Sequence, residues 1–161
     1  MKIYLLRHAK ADPGFPDSSR VLAPRGRQHA SELGKFFTED ERLGPLEIWC
    51  SPLKRAQETA LLFEKSWGGS ILARHEVEQL EPEIDPEPLV EMISLASRDL
   101  LIVGHNPSLE TLTSLLLSGE RTRARVRLKT CGFICLEWNP LPNFGQFGPC
   151  ELRWMFDPRL I

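Results

Sequence analysis

Leu100-Leu101-Ile102-Val103-Gly104-His105-Asn106-Pro107 is the stretch that settles the fold class. Four apolar residues in a row predict a strand in a sheet covered on both faces, because a strand with one wet face alternates instead. The run breaks at Gly104-His105. Asn106-Pro107 then predicts a helix start, with Leu109, Leu112 and Leu116 following at helical spacing. A buried strand that feeds a helix is the building unit of a parallel sheet.

The same unit recurs upstream. Lys2 to Leu6 reads as a short buried strand running into Arg7-His8. Asp12-Pro13-Gly14 and Phe15-Pro16-Asp17 mark residues 12–24 as a loop. A helix follows from about Pro24, with Ala30, Leu33 and Phe37 on one face. Leu46 to Cys50 is a second strand, and Ser51-Pro52 predicts a helix with serine as N-cap and an apolar face of Ala56, Thr59, Ala60 and Phe63. Gly68-Gly69 stops it, Ser70 to Arg74 predicts a short strand, and Asp85-Pro86 repeats the cap-then-proline signal before Leu89, Met92, Ile93 and Ala96. The end of the chain differs: Cys131 to Trp138 and Glu151 to Phe156 predict two strands of a hairpin, joined by the Pro/Gly-rich connection Asn139 to Pro149. The expectation is an α/β fold: a single domain over residues 1–161, a three-layer α/β/α sandwich with a mostly parallel open sheet and a C-terminal β-hairpin.

Composition excludes several function classes. The chain has 161 residues, enough for one core without staples. Its formal net charge of -2 argues against a general nucleic-acid binder, so any affinity for anions must come from local arginines. The apolar run at the N-terminus is too short for a signal peptide, and no apolar stretch reaches the roughly 18 residues a membrane span needs. A cytoplasmic protein with no membrane partner is expected. The four cysteines show no paired C-x-x-C spacing. Cys131 and Cys135 sit in an apolar context, so buried thiols are the better reading than a zinc half-site.

In open α/β sheets, ligands bind in the crevice at the carboxyl ends of the strands. Three segments place polar residues there: Arg7-His8, Ser51 with Arg55 just beyond it, and His105-Asn106. Helical side chains lean toward the helix N-terminus, so Arg55 leans back toward the strand ends. Two arginines and two histidines beside helix N-termini suit a phosphate and repel a cation; neither a metal nor another cofactor is expected. A histidine among such donors can attack phosphorus if its second ring nitrogen donates to a carbonyl and so fixes the reactive tautomer. Pre-placed cations stabilise the equatorial oxygens of the phosphoryl group without magnesium.

Leu6-Arg7-His8-Ala9, Arg20-Val21-Leu22-Ala23-Pro24-Arg25-Gly26, Ser51-Pro52-Leu53-Lys54-Arg55-Ala56-Gln57-Glu58-Thr59 and Val103-Gly104-His105-Asn106-Pro107 together resemble the histidine phosphatase superfamily, nearest its compact bacterial SixA-type phosphohistidine phosphatases. That family carries R-H-G near its N-terminus, S-x-x-x-R-A-x-x-T after its second strand, and a later strand ending in histidine. The resemblance implies a covalent phosphohistidine on His8, phosphoryl oxygens held by Arg7 and Arg55, and His105 as a second donor that stabilises the transition state. The resemblance also implies that Arg20 reaches the phosphate from the loop, and Asn106 is expected in the phosphate-binding set. Ala9 departs from the family's glycine and Ala23 from a common threonine. The general acid stays open among Glu81, Glu83 and Asp85.

The implied function is a metal-independent phosphohistidine phosphatase. Its partner would be a phosphohistidine-bearing signalling protein, such as a phosphotransfer domain. One alternative is a phosphomonoesterase on the same site, acting on a small phosphate ester. Another, of a different class, is a non-catalytic phospho-ligand binding module, which the retained His8 and His105 disfavour. The run Arg121, Arg123, Arg125, Arg127 and Lys129 predicts one basic face on a strand. A solvated edge that resists aggregation is favoured there over a docking strip for an acidic phosphoprotein.

Overall fold

Two parallel strands, β1 (Lys2–Arg7) and β4 (Leu100–Gly104), run side by side at the middle of the molecule, with Ile3 opposite Leu100 and Arg7 opposite Gly104. The computed structural model that shows this describes residues 1–38, 43–139 and 148–160. Between these strands come α1 (Pro24–Phe36), β2 (Leu46–Cys50), α2 (Lys54–Trp67), β3 (Ile71–Glu76) and α3 (Pro88–Ser94). After β4 come α4 (Ser108–Ser118), β5 (Phe133–Trp138) and β6 (Cys150–Phe156). The strand order is β3-β2-β4-β1-β5-β6. The first four are mutually parallel; β5 runs antiparallel to β1, and β6 antiparallel to β5. The expected C-terminal hairpin is therefore present, and most of its connection, residues 140–147, lies outside the described residues.

Alternation along the central strands explains the continuous apolar runs. Ile3, Leu5, Leu100 and Ile102 join Leu89 and Ile93 of α3 and Leu109, Leu112 and Leu116 of α4 in one cluster. Tyr4, Leu6, Leu101 and Val103 face the other way, onto Ala30 and Leu33 of α1 and Ala56, Ala60 and Phe63 of α2. Both faces are dry, so every position must be apolar, and each fully buried side chain contributes about 1.5–3 kcal/mol. This is the three-layer α/β/α arrangement, and it leaves the carboxyl ends of β1, β2 and β4 open at one rim. The four cysteines are buried and free. Burial pushes the thiols of Cys50, Cys131 and Cys150 up to about 12 and that of Cys135 up to about 11.

Three helix starts move relative to the sequence signals. α2 begins at Lys54, three residues after Ser51, because the Ser51 hydroxyl serves a short turn by accepting from Leu53 N–H at 3.3 Å. α3 begins at Pro88, and Asp85 accepts from Glu87 N–H at 3.1 Å in the turn before it. α4 begins at Ser108, and the Asn106 amide donates to the Glu110 side chain of its first turn and to Leu128 O instead of capping a backbone N–H. The run from Arg121 to Lys129 forms no strand. Residues 125–129 carry no regular secondary structure, with Arg125 and Arg127 exposed and Leu128 buried. The backbone N–H groups of Ala124 and Leu128 bond to Ser114 Oγ (3.0 Å) and Glu110 Oε1 (2.8 Å) of α4, so α4 takes donors that a sheet ladder would need.

Candidate active site

His8 leaves the end of β1 and is fixed by its backbone. Its N–H donates to Gly104 O at 3.0 Å, which ties it to the end of β4. Its Nδ1 lies 2.7 Å from Ala9 O. A carbonyl only accepts, so Nδ1 carries the proton and the lone pair is left on Nε2. Ala9 N–H donates to Thr59 Oγ1 at 3.0 Å, and the Thr59 hydroxyl donates to Arg55 O at 2.7 Å. One threonine of α2 therefore joins the His8 turn to the Arg55 turn. Ala9, where the family has glycine, is fully buried, with its methyl in the cluster beneath α1 and α2. Gly26 has a packing reason: a Cβ there would lie 2.0 Å from Lys10 O, so only glycine lets α1 pass this close to the turn after His8.

Two arginines converge on His8. The Arg7 Nη1 donates to Leu128 O at 2.9 Å. Arg55 is buried at 4% exposure, and its two terminal nitrogens donate to Asp17 O at 2.8 Å and Asp17 Oδ2 at 2.9 Å. Arg20 donates to Asp12 O at 2.8 Å and to Asp17 Oδ1 at 3.0 Å. Asp17 thus bridges Arg20 and Arg55, and the Arg20 bond, then Arg55, hold its carboxyl below the usual range. The Nε atoms of Arg7 and Arg55 are buried without a hydrogen-bond partner among the described residues. Orphaned cationic donors in a crevice are costly unless a ligand satisfies them.

His105 completes the group. Its ring centroid lies 4.9 Å from that of His8. The side chain is buried, its Nε2 lies 2.8 Å from Ser51 Oγ, and its Nδ1 is buried with no hydrogen-bond partner. Burial, and then the charges of Arg55, Arg7 and Arg20, push the His8 imidazole down to about 4 against the Ala9 bond. Burial, and then His8, Arg55 and Arg7, push His105 down to about 3 against Asp17. Both rings are neutral at pH 7, so His8 presents a lone pair where the arginines present charge.

The structure brings together His8, Arg7, Arg55, His105 and Arg20. It corrects the expected role of Asn106. The Asn106 Nδ2 donates to Glu110 Oε1 at 2.7 Å and to Leu128 O at 2.8 Å, so both amide hydrogens are used inside the protein and none is offered to a phosphate. Asp85 is engaged by Arg121 at 2.9 Å and by Glu87 N–H. These bonds, Glu87's first, hold its carboxyl below the usual range, the wrong direction for a proton donor. Glu83 is exposed. Glu81 follows Leu80, whose carbonyl would lie 3.5 Å from a Cβ at Gly104, and precedes Pro82, whose carbonyl accepts from Ser108 at 3.1 Å. Glu81 is therefore held along the turn that carries His105. Sequence reasoning missed Asp17 as a bridge. Its only signal is its place three residues before Arg20 in a loop of turn formers.

The sequence profile of the histidine phosphatase superfamily (branch 1) matches residues 3–83, about half of the chain. The chain belongs to this superfamily. The protein histidine phosphatase SixA, solved with tungstate, shares the fold at a TM-score of 0.82 and 18% identity over 99% of both chains. The alpha-ribazole phosphatase from Shigella flexneri shares it at a TM-score of 0.69 and 16% identity, over 98% of this chain and 97% of that one. The human 6-phosphofructo-2-kinase/fructose-2,6-bisphosphatase 4 is 36% identical over 61 residues, which are 36% of this chain and 13% of that much longer relative. At these identities the solved structures speak for the shared fold alone. Among the described residues, no helix is long and apolar enough to cross a membrane.

Proposed function

We propose that this phosphatase removes the phosphoryl group from phosphohistidine on a signalling protein, through a covalent phosphohistidine on His8. The observation that carries the reading is the tautomer of His8: Nδ1–H is held by Ala9 O, and the free lone pair sits among buried donors that lack partners. Nε2 attacks phosphorus as the phosphorus–nitrogen bond of the substrate breaks, and the departing imidazole takes up a proton. Water then attacks the phosphoenzyme, releasing inorganic phosphate and restoring neutral His8. Arg7 and Arg55 hold the equatorial oxygens through both steps. With the Ser51 hydroxyl donating to Nε2, His105 carries its proton on Nδ1 and donates it in a hydrogen bond to the same oxygens. Of the three acidic candidates, Glu81 protonates the leaving group, and the need is modest for a phosphoramidate.

His8 and Arg7 are only half-buried, so the nucleophile lies within reach of a group fixed to a protein surface. A small ester hydrolase is the second reading, supported by the 61-residue match to the bifunctional fructose-2,6-bisphosphatase. Turnover on a panel of a phosphohistidine protein, aryl phosphates and sugar phosphates separates the two. The phosphohistidine protein is expected to give the highest kcat/KM; a sugar phosphate in first place overturns the reading. A labelled phosphodonor should leave an acid-labile, base-stable label that is lost in His8→Ala.

A further inference from the structure

We infer that Arg125 and Arg127 form a docking strip for an acidic face of the phosphoprotein substrate, an assignment that rests on the phosphohistidine reading above. The cationic run divides into two parts. Arg121 is tied to Asp85 (2.9 Å) and Glu87 (2.8 Å), and Arg123 to Glu120 (2.9 Å). Lys129 lies near enough to Asp157 to act on its carboxyl. Arg125 and Arg127 are exposed, and neither makes an ion pair or hydrogen bond among the described residues. Two uncompensated cations therefore remain in the middle of a run whose ends are neutralised.

Their placement links them to the phosphoryl site. Val126 and Leu128 pack into the core under α4, which turns Arg125 and Arg127 outward. The next carbonyl, Leu128 O, accepts from both Arg7 and Asn106. Arg127 is thus the immediate neighbour of the residue that holds the catalytic-site guanidinium. Arg125 lies three residues and Arg127 one residue before that anchor in the chain. An open groove of about 310 Å³, lined by Pro107, Glu110, Thr111, Arg125, Val126 and Arg127, lies alongside. The Glu110 carboxylate in that groove is occupied by Asn106 and by Leu128 N–H. A protein substrate brings a surface around its phosphohistidine that Arg125 and Arg127 meet, which a small ester lacks. Asp85 and Glu87 neutralise Arg121, which leaves the attraction for an acidic partner on the Arg125–Arg127 side. Two cations on a chain of net charge -2 are too few to track a nucleic-acid backbone, where affinity grows with the number of phosphates neutralised.

Two synthetic phosphohistidine peptides of equal length test this, one flanked by glutamates and one by glutamines, alongside 4-nitrophenyl phosphate. The full-length enzyme should prefer the acidic peptide by about five- to tenfold in kcat/KM, through KM, as two exposed charge pairs allow. Added salt should erode the preference. The double variant Arg125→Gln, Arg127→Gln should erase it and leave aryl phosphate turnover unchanged, while Arg121→Gln should retain it. Equal use of both peptides by the unaltered enzyme overturns the docking strip and leaves the phosphohistidine reading standing. Turnover of the aryl phosphate with neither peptide overturns both. A double variant that slows all three substrates alike places these arginines in the phosphoryl site and overturns the strip. A double variant that keeps the peptide preference but no longer binds phosphatidylserine vesicles assigns the arginines to a lipid surface instead.

Discussion

Arginines occur in two settings in this protein, and the contrast separates chemistry from surface. Arg7 at the end of β1 and Arg55 in the first turn of α2 have terminal nitrogens fixed to protein oxygens and Nε atoms buried without partners among the described residues. Arg121, Arg123, Arg125 and Arg127 are exposed on a segment outside the sheet, and two of them are already paired. Both groups look alike as letters. Burial with unused donors marks the first as a site awaiting an anion, because such donors are expensive to leave unmet. Exposure marks the second as a surface whose effects are small and screened by salt.

The most severe way to break this contrast is to remove the buried cation. Arg55→Ala should lower kcat/KM for 4-nitrophenyl phosphate by about 10²–10³, the loss typical of one pre-placed transition-state donor. Arg55→Lys should recover little of it, since an ammonium cannot reproduce the planar fork. An Arg55→Ala enzyme within threefold of the parent would place Arg55 with the surface arginines.

Next in size is the role proposed for Glu81 as proton donor. Glu81→Gln should reduce turnover of an alkyl phosphate, a poor leaving group, by about 10–100-fold. Phosphohistidine turnover should change far less. Equal losses on both substrates would remove Glu81 from that role.

The pH dependence follows in magnitude. With His8 held down to about 4, the nucleophile is unprotonated through neutral and mildly acid pH. The acid limb of kcat/KM should fall near 4 once the substrate's own second ionisation, near roughly 6, is divided out. A limb at the ordinary histidine value would contradict the burial argument. The sign for stability is fixed by the same shift. The unfolded chain binds protons on His8 and His105 from about pH 6.5 downward, whereas the folded chain does so only at about 4 and about 3. Their contribution is complete above 6.5 and is lost as the pH falls toward 4. His105→Gln should flatten the decline in melting temperature over that window.

The smallest expected effect belongs to the surface set. Arg121→Gln should leave the melting temperature almost unchanged, because its ion pairs with Asp85 and Glu87 are solvent-exposed and screened. It should leave aryl phosphate turnover intact; a loss above about tenfold would mean that the segment from Arg121 to Lys129 shapes the site more directly than its exposure implies.

Sheet and site were readable to different depths. The run Leu100–Val103 identified a strand dry on both faces, because that pattern depends only on burial. His8, Arg55 and His105 were legible because strand ends in such a sheet open onto one rim. The helix starts were not, since Ser51, Asp85 and Asn106 resemble caps but use their polar atoms elsewhere: Ser51 on His105, Asp85 on Arg121, Asn106 on Glu110. The basic run shows the opposite failure. Its alternation correctly predicted which side chains face outward from Arg125 to Leu128, yet no strand forms, because Ser114 and Glu110 take backbone donors that a ladder needs. Asp17 escaped notice because its meaning depends on Arg55, 38 residues away.

Thr59 has a mechanical consequence. Its hydroxyl oxygen is the shared hinge-pin of the nucleophile's turn and the phosphate-gripping helix, accepting from Ala9 and donating to Arg55 O. A displacement of the first turn of α2 therefore pulls on the turn after His8, while the His8 N–H, bonded to Gly104 O, keeps that turn moored to the end of β4.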